Sequence, residues 1–196
     1  MEAVRDYLRR WLDLAFAPLA SFLLWCRITP NQVSLMGILL NLVSAALLVD
    51  GQLVLAGLVY LLAGSLDLLD GALARLAKMS SRFGAFLDST ADRISEGVVF
   101  AAIAYYFARH GQPVDAALTV LALLGSLLVS YTRARAEGLG LECKVGIVTR
   151  AERVVLVAFG LMFGLLPAAI YILVVLTAFS ATQRILHTLR QLHPQG

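Results

Sequence analysis

Charged side chains are scarce in this chain. Asp, Glu, Lys and Arg make up 15% of the 196 residues, whereas hydrophobic residues make up 60% and the mean hydropathy is +0.82. This composition indicates an integral membrane protein. The apolar runs lack the period-two alternation of barrel strands, so helices are the expected way to satisfy the backbone in hydrocarbon.

Cysteine and histidine are also rare. Cys26 and Cys143 fall in segments that we expect to face the cytoplasm, where thiols stay reduced, so no disulfide is predicted. The three histidines lie away from the acidic cluster described below, which argues against zinc. Internal repeats, low-complexity segments and a recognisable cleavable signal peptide are missing, so a single domain is expected over residues 1–196.

Five apolar runs predict six membrane-spanning helices. The runs are Val33–Val49, Leu53–Leu66, Val98–Phe107, Ala116–Val129 and Val154–Phe179. The third belongs to a longer helix, Gly84–Ala108, that begins polar, and the fifth is too long for one span and divides near Gly164 and Pro167. The expected fold class is therefore all-α integral membrane, with six transmembrane helices within residues 27–196.

Residues 1–26 predict a further helix ahead of these spans. Five apolar residues share one face of it, and charged residues populate the other. The apolar residues are Val4, Leu8, Trp11, Leu12 and Ala15. Such a helix is expected to lie in the headgroup layer as an amphipathic juxtamembrane helix, with docking on the bundle as the alternative.

The formal net charge of +3 reflects membrane topology rather than affinity for nucleic acid. With the N-terminus in the cytoplasm, the outer connections are Asp50–Gln52, Arg109–Asp115 and Gly164–Pro167. They hold one basic residue, Arg109, and the other 15 of the 16 Lys and Arg residues fall on the inner side. This positive-inside bias predicts a multi-pass protein of the cell membrane, with both termini and its inner polar cavity facing the cytoplasm.

Four aspartates stand at the junction of the second and third predicted spans. Asp67 and Asp70 are three residues apart, and Asp88 and Asp92 are four apart, so each pair shares one helix face. Ionised acids at membrane depth cost about 2.5–3.5 kcal/mol each and repel one another, so they need a strong positive partner. Carboxylates suit hard divalent cations, and four of them suit two ions that clamp phosphate oxygens. The alternative is that the acids cap helices and pair with neighbouring arginines.

The spacing of these residues resembles the signature of the CDP-alcohol phosphotransferase family. The family pattern D-x2-D-G-x2-A-R-x8-G-x3-D-x3-D is filled at every fixed position between Asp67 and Asp92. Members have six transmembrane helices, often after an amphipathic juxtamembrane helix, and work as homodimers. The resemblance implies an enzyme of phospholipid biosynthesis that transfers a phosphatidyl-type group from a CDP-linked lipid to an alcohol and releases CMP.

The resemblance also implies roles for single residues. Asp67, Asp70 and Asp88 match metal ligands, and Asp92 matches both a ligand of a second ion and the general base for the acceptor hydroxyl. The expected cofactors are two divalent ions, Mg²⁺ or Mn²⁺. Seven positions match contacts to the CDP-lipid: Asn31, Gln32, Val33, Ser34, Gly71, Arg75 and Ser81. Taken alone, the run Thr-Pro-Asn before Gln32 predicts only a helix start.

A second polar stretch bears on the acceptor alcohol. It resembles segments that bind the acceptor's phosphate in the phosphatidylinositol-phosphate synthase branch of the family, with Arg133 where Lys is common and Ala151 where Pro is common. The matching segments are Arg133-Ala-Arg135-Ala-Glu137, Arg150-Ala-Glu152-Arg153 and Gln183-Arg184. The implied acceptor is 1D-myo-inositol 3-phosphate, bound by Arg133, Arg135, Arg153 and Arg184. Lys144 and Arg150 are expected to be ordinary positive-inside charges.

Alternatives to this function stay open at this stage. Glycerol 3-phosphate is also phosphorylated and would also need arginines, and the donor could carry diacyl or ether-linked tails. A divalent-cation transporter would distribute its acids along the membrane depth, whereas these cluster at one end. A non-catalytic interaction protein gives no reason to hold four repelling charges together.

Overall fold

The computed structural model describes residue 18, residue 21 and the ranges 23–26, 29–76 and 81–192, without the side chains of residues 71, 72 and 74–76. Within residues 29–192 of this description the regular secondary structure consists of six helices. They are α1 (Pro30–Val49), α2 (Leu53–Leu76), α3 (Arg82–Arg109), α4 (Pro113–Gly138), α5 (Arg150–Met162) and α6 (Leu166–Leu192). Most of the juxtamembrane helix predicted over residues 1–26 lies outside this description.

Four of the six helices are long and apolar enough to cross a membrane. These segments are Pro30–Val49, Leu53–Asp70, Pro113–Gly138 and Leu166–Leu192. Helix α3 has the length, with 28 residues, but its first half carries several charged side chains. Helix α5 has only 13 residues and begins with three charges in four positions. The protein is therefore all-helical with four candidate spans, and the count of six stays a prediction.

Three tight turns join the helices in pairs at the predicted outer connections. Each contains one glycine in the left-handed region, with φ of 79° at Gly51, 71° at Gly111 and 70° at Gly164. A side chain at these positions would be strained, and glycine removes that cost. The predicted division of the last apolar run is confirmed, because α5 ends at Met162 and α6 begins at Leu166.

Small residues bring α2 and α5 into close contact. A Cβ atom on Gly57 would lie 2.9 Å from the carbonyl oxygen of Ala158, and one on Gly64 would lie 2.7 Å from Cγ1 of Val154. In a membrane, where lipid tails are as apolar as leucine, such close approach supplies packing energy that burial alone does not. These two glycines therefore serve packing within the chain.

The contacts between helices bring four helix ends together at one end of the bundle. Helix α1 packs on α2 and α3, and α2 also packs on α5. The C-terminal part of α2 and the first turns of α1, α3 and α5 consequently lie at the same end of the bundle. This arrangement places the aspartates of α2 and α3 next to the polar starts of α1 and α5.

Candidate active site

The paired spacing of the aspartates brings them to a common pocket. Asp67 and Asp70 lie near the end of α2, and Asp88 and Asp92 lie in the first turns of α3. One carboxylate oxygen from each of Asp67, Asp70 and Asp88 lies within 4.8 Å of the other two. Asp92 lines the same pocket without joining this closest group. The separation of the three oxygens suits a shared cation, because each can be a ligand after a small side-chain movement.

Arg150 lines the pocket, which the sequence reasoning did not predict. It was expected to be an ordinary positive-inside charge, but the structure places its Nη1 in ion-pair contact with Asp67 and 2.7 Å from Oδ1 of Asp92. Arg93 adds a second, longer contact to Asp92 at 3.3 Å. The one feature that could have indicated this placement is the position of Arg150 at the start of the helix that packs on α2.

The ion pairs of Arg150 join two helices. Its Nη1 contacts a carboxylate of α2 and one of α3, and the side chain is 20% exposed. A guanidinium binds carboxylate and phosphate oxygens in the same way, so this position also suits a phosphate. Lys144, by contrast, is not among the residues that line the pocket; it pairs with Glu142 at 3.0 Å, and both side chains are exposed.

The start of α1 is both a helix cap and part of the pocket. Thr29 caps α1 with Pro30 in the first turn, and Gln32 completes a capping box by accepting a hydrogen bond from the Thr29 amide at 2.8 Å. The predicted helix start is therefore confirmed. Two residues later, the Ser34 hydroxyl donates to Oδ2 of Asp70 at 2.6 Å, and Val33 is 2% exposed. Ser34 thus joins α1 to a carboxylate of the pocket.

The remaining positions matched to a CDP-lipid lie around the start of α3. Ser81 caps this helix by accepting a hydrogen bond from the Gly84 amide at 2.9 Å. A Cβ atom on Gly84 would lie 3.6 Å from Oδ1 of Asn31, which shows that the starts of α1 and α3 converge. Gly71 and Arg75 lie on the backbone of α2, but their side chains fall outside the description.

The donor set of the pocket fits a hard divalent cation. The polar part of the pocket lining consists of oxygen-bearing side chains and one guanidinium, and the remaining lining residues are apolar or glycine. The polar lining residues are Ser34, Asn41, Asp67, Asp70, Asp88, Asp92, Ser95 and Arg150. Carboxylate and hydroxyl oxygens are the ligands that Mg²⁺, Mn²⁺ and Ca²⁺ prefer, and the lining contains neither imidazole nor thiol.

Two of the four arginines predicted for the acceptor already have protein partners. Arg153 is 2% exposed and donates from Nε and Nη2 to the two carboxylate oxygens of Glu96, at 2.8 and 3.1 Å. Arg184 is 7% exposed, and it donates to the carbonyl oxygens of Val145, at 2.9 Å, and Val129. Both side chains therefore hold the helices together in this conformation. Glu96 was also missed, although it continues the four-residue spacing of Asp88 and Asp92.

The other two arginines face outward from the end of α4. Arg133 pairs with Glu137 through a 2.8 Å contact between exposed side chains one turn apart, and Arg135 is exposed. Exposed pairs of this kind contribute little to stability. Arg133 and Arg135 are thus exposed at the surface of the chain, whereas Arg153 and Arg184 are buried.

The loop between α4 and α5 is held against α6. The Ser180 hydroxyl oxygen accepts hydrogen bonds from the amides of Ile147 and Val148, both at 3.3 Å. Nearer the end of α6, the side-chain amide of Gln191 donates to the Glu142 carbonyl at 2.8 Å. Helix α6 therefore determines where the first residue of α5 enters the pocket.

Comparison with known proteins agrees with this geometry. A profile of the CDP-alcohol phosphatidyltransferase family matches residues 27–183. An archaetidylinositol phosphate synthase from Methanothermobacter thermautotrophicus is 35% identical over 194 residues, which cover 96% of this chain and 93% of the relative. A phosphatidylinositol phosphate synthase from Mycobacteroides abscessus is 35% identical over 182 residues, which cover 88% and 82%.

Solved structures are similar over most of the chain. The crystal structure of Mycobacterium tuberculosis phosphatidylinositol phosphate synthase with CDP-DAG bound has a TM-score of 0.80 at 33% identity, and the match covers 89% of this chain and 93% of that one. The structure of the same protein in complex with manganese and citrate has a TM-score of 0.79 at 34% identity, with 88% of both chains covered.

Proposed function

This chain belongs to the CDP-alcohol phosphatidyltransferase family, and from that premise we propose that it transfers a phosphatidyl-type group from a CDP-linked lipid to an inositol phosphate. The products are a phosphatidylinositol phosphate, or its ether-lipid counterpart, and CMP. The donor is CDP-diacylglycerol or a CDP-linked ether lipid, and 1D-myo-inositol 3-phosphate is the acceptor. The observation that carries the proposal is the convergence of Asp67, Asp70 and Asp88 within 4.8 Å, at the spacing of the family signature.

Different residues of the chain have different roles in the proposed reaction. Asp67, Asp70 and Asp88, with Asp92, would hold two divalent ions, Mg²⁺ or Mn²⁺. When bound, such ions neutralise the pyrophosphate and stabilise the phosphate of the leaving CMP. Asp92 accepts the proton of the acceptor hydroxyl, whose oxygen forms a bond to the lipid-side phosphorus while the bond from that phosphorus to the CMP oxygen breaks. Arg150 holds the Asp92 carboxylate in place and offers N–H groups to the phosphates.

The donor and the acceptor would approach the pocket by different routes. Asn31, Gln32, Val33, Ser34, Gly71, Arg75 and Ser81 are the proposed contacts to the CDP moiety, with the lipid tails left in the bilayer. Two of them, Val33 and Ser34, line the pocket. Arg133 and Arg135 are accessible to a soluble anion. Arg153 and Arg184 remain part of the proposed acceptor site, but Arg153 would have to exchange Glu96 for the acceptor's phosphate.

The membrane arrangement follows from the order of the helices. Helix α3 lies between α2 and α4, both of which can cross a membrane, and a tight turn joins α3 to α4. In the proposed arrangement the chain crosses again on α3, and α5 is a short span before α6. We infer six spans in the cell membrane, with both termini and the pocket facing the cytoplasm, and a homodimeric assembly.

An acceptor panel tests the proposed function. CMP release from CDP-diacylglycerol is measured with inositol phosphate, glycerol 3-phosphate or free inositol offered separately, each with and without EDTA. We expect release with inositol phosphate alone, and only when a divalent ion is present. Release with glycerol 3-phosphate alone would assign the chain to that acceptor instead, and metal uptake into sealed vesicles without any CDP-lipid would favour a transporter.

A further inference from the structure

Asn41 is a polar residue of the pocket that the proposed reaction does not use. It lies in the apolar helix α1, is 4% exposed, and lines the same pocket as the four aspartates. Its side-chain nitrogen donates to the carbonyl oxygen of Gly37 at 2.7 Å. Its Oδ1 is buried, and no described residue donates a hydrogen bond to it.

Hydrogen-bond chemistry determines which way the Asn41 amide faces. A backbone carbonyl only accepts hydrogen bonds, so the NH₂ group has to face Gly37 and the oxygen has to face away from it. A buried acceptor without a donor is unfavourable, and the neighbouring carboxylates in the pocket cannot donate when ionised. The pocket therefore needs a group with an O–H or N–H bond at this position.

The proposed reaction limits what that group can be. The reacting hydroxyl of the acceptor has a single proton, and the proposed mechanism gives that proton to Asp92. The donor to Asn41 is therefore a second O–H group, such as the neighbouring hydroxyl of a polyol or a water molecule on a divalent ion.

We propose that Asn41 Oδ1 accepts a hydrogen bond from an O–H group bound in the pocket beside Asp92, and that Asn41 is a positioning residue for the transfer. This inference rests on the proposed function. An amide oxygen at this point fixes the rotation of the polyol, or of the metal-bound water, relative to the Asp92 carboxylate. Its loss should affect binding and rate rather than folding.

The test replaces Asn41 by a side chain without an acceptor. Asn41→Leu keeps the number and branching of the side-chain heavy atoms, and Asn41→Ala repeats the test with a smaller side chain. The matched control is Ser126→Ala, because the Ser126 hydroxyl is also fully buried and has no hydrogen-bond partner among the described residues, but it lies on α4 outside the pocket. For each protein we would measure the melting temperature, the Mn²⁺ affinity by calorimetry, and kcat and KM for inositol phosphate.

Both Asn41 variants should melt at or above the wild-type temperature. Either kcat/KM for inositol phosphate or the Mn²⁺ affinity should fall by about fivefold to tenfold, which corresponds to the free energy of one hydrogen bond. If the donor is a polyol hydroxyl, kcat/KM for inositol phosphate falls and the Mn²⁺ affinity is unchanged. If the donor is a metal-bound water, the Mn²⁺ affinity itself falls. Ser126→Ala should match the wild type in all measurements.

Two results would overturn the inference. The first is a pair of folded Asn41 variants whose Mn²⁺ affinity and kinetics stay within twofold of the wild type. The second is loss of the fold in both variants, which would make Asn41 structural. A wild-type protein that releases no CMP with any acceptor refutes the proposed function instead, and the Mn²⁺ titration then decides the role of Asn41 alone.

Discussion

Replacing Arg153 by Met tests whether the ion pair between α3 and α5 is structural. The side chains of Arg153 and Glu96 are 3% and 5% exposed and share two hydrogen bonds. Removing one partner of such a buried pair leaves an uncompensated charge and costs about 3–5 kcal/mol. For a chain of this length the loss corresponds to a melting temperature lower by about 6–20 °C.

The assay is thermal unfolding of the purified protein in detergent, and a double variant separates charge from packing. Arg153→Met should melt far below the wild type. Combining it with Glu96→Leu should recover much of the loss, because two apolar side chains replace both charges. The control is Arg133→Ala, which removes an exposed pair and should cost no more than about 1 kcal/mol.

The opposite pattern would refute this reasoning. If the melting temperature of Arg153→Met equals that of the wild type while KM for inositol phosphate rises, Arg153 is a ligand of the acceptor. Its contact with Glu96 would then be incidental to the fold. An Arg153→Met variant that is both unstable and unchanged in KM would remove Arg153 from the acceptor site.

Three further changes probe the pocket and the packing around it. Asp92→Asn should lower kcat by about 10²- to 10⁴-fold, the usual contribution of a general base, with an unchanged elution profile; turnover near the wild-type rate would remove the base assignment. Chelation with EDTA should abolish CMP release, and added Mg²⁺ or Mn²⁺ should restore it, whereas activity that persists in EDTA would contradict the metal site. Gly64→Ala should cost about 1–3 kcal/mol in thermal unfolding, because its Cβ would lie 2.7 Å from Val154, and Gly97→Ala, with no atom within 4 Å, should be neutral.

Much of the architecture follows from local patterns in the sequence. Apolar runs and turn glycines located the helices, and the break before Leu166 came from Gly164 and Pro167 within one long run. The aspartate pairs could be predicted to face together because a spacing of three or four residues belongs to a single helix. Hydropathy alone does not identify α3 and α5 as spans, because charged residues occupy part of each helix.

Contacts between distant segments could not be read in the same way. Arg153 was expected to bind the acceptor and Arg150 to be an ordinary positive-inside charge, yet Arg150 contacts the carboxylates of the pocket and Arg153 is buried against Glu96. Which arginine reaches which acid depends on the rotation of α5 against α2 and α3, and no local spacing encodes it. Asn41 had a weak signal of its own, as an amide in an otherwise apolar span.

The hold of α6 on the loop that leads into α5 has a practical consequence for handling the protein. Gln191 is the last but one of the described residues, and it holds that loop through its hydrogen bond to the Glu142 carbonyl. Trimming the tail back beyond this point, as is often done to obtain crystals, would remove a contact that holds the loop leading to Arg150. A shortened protein that purifies normally can then have low activity. Its kinetics should therefore be compared first with those of the untrimmed chain.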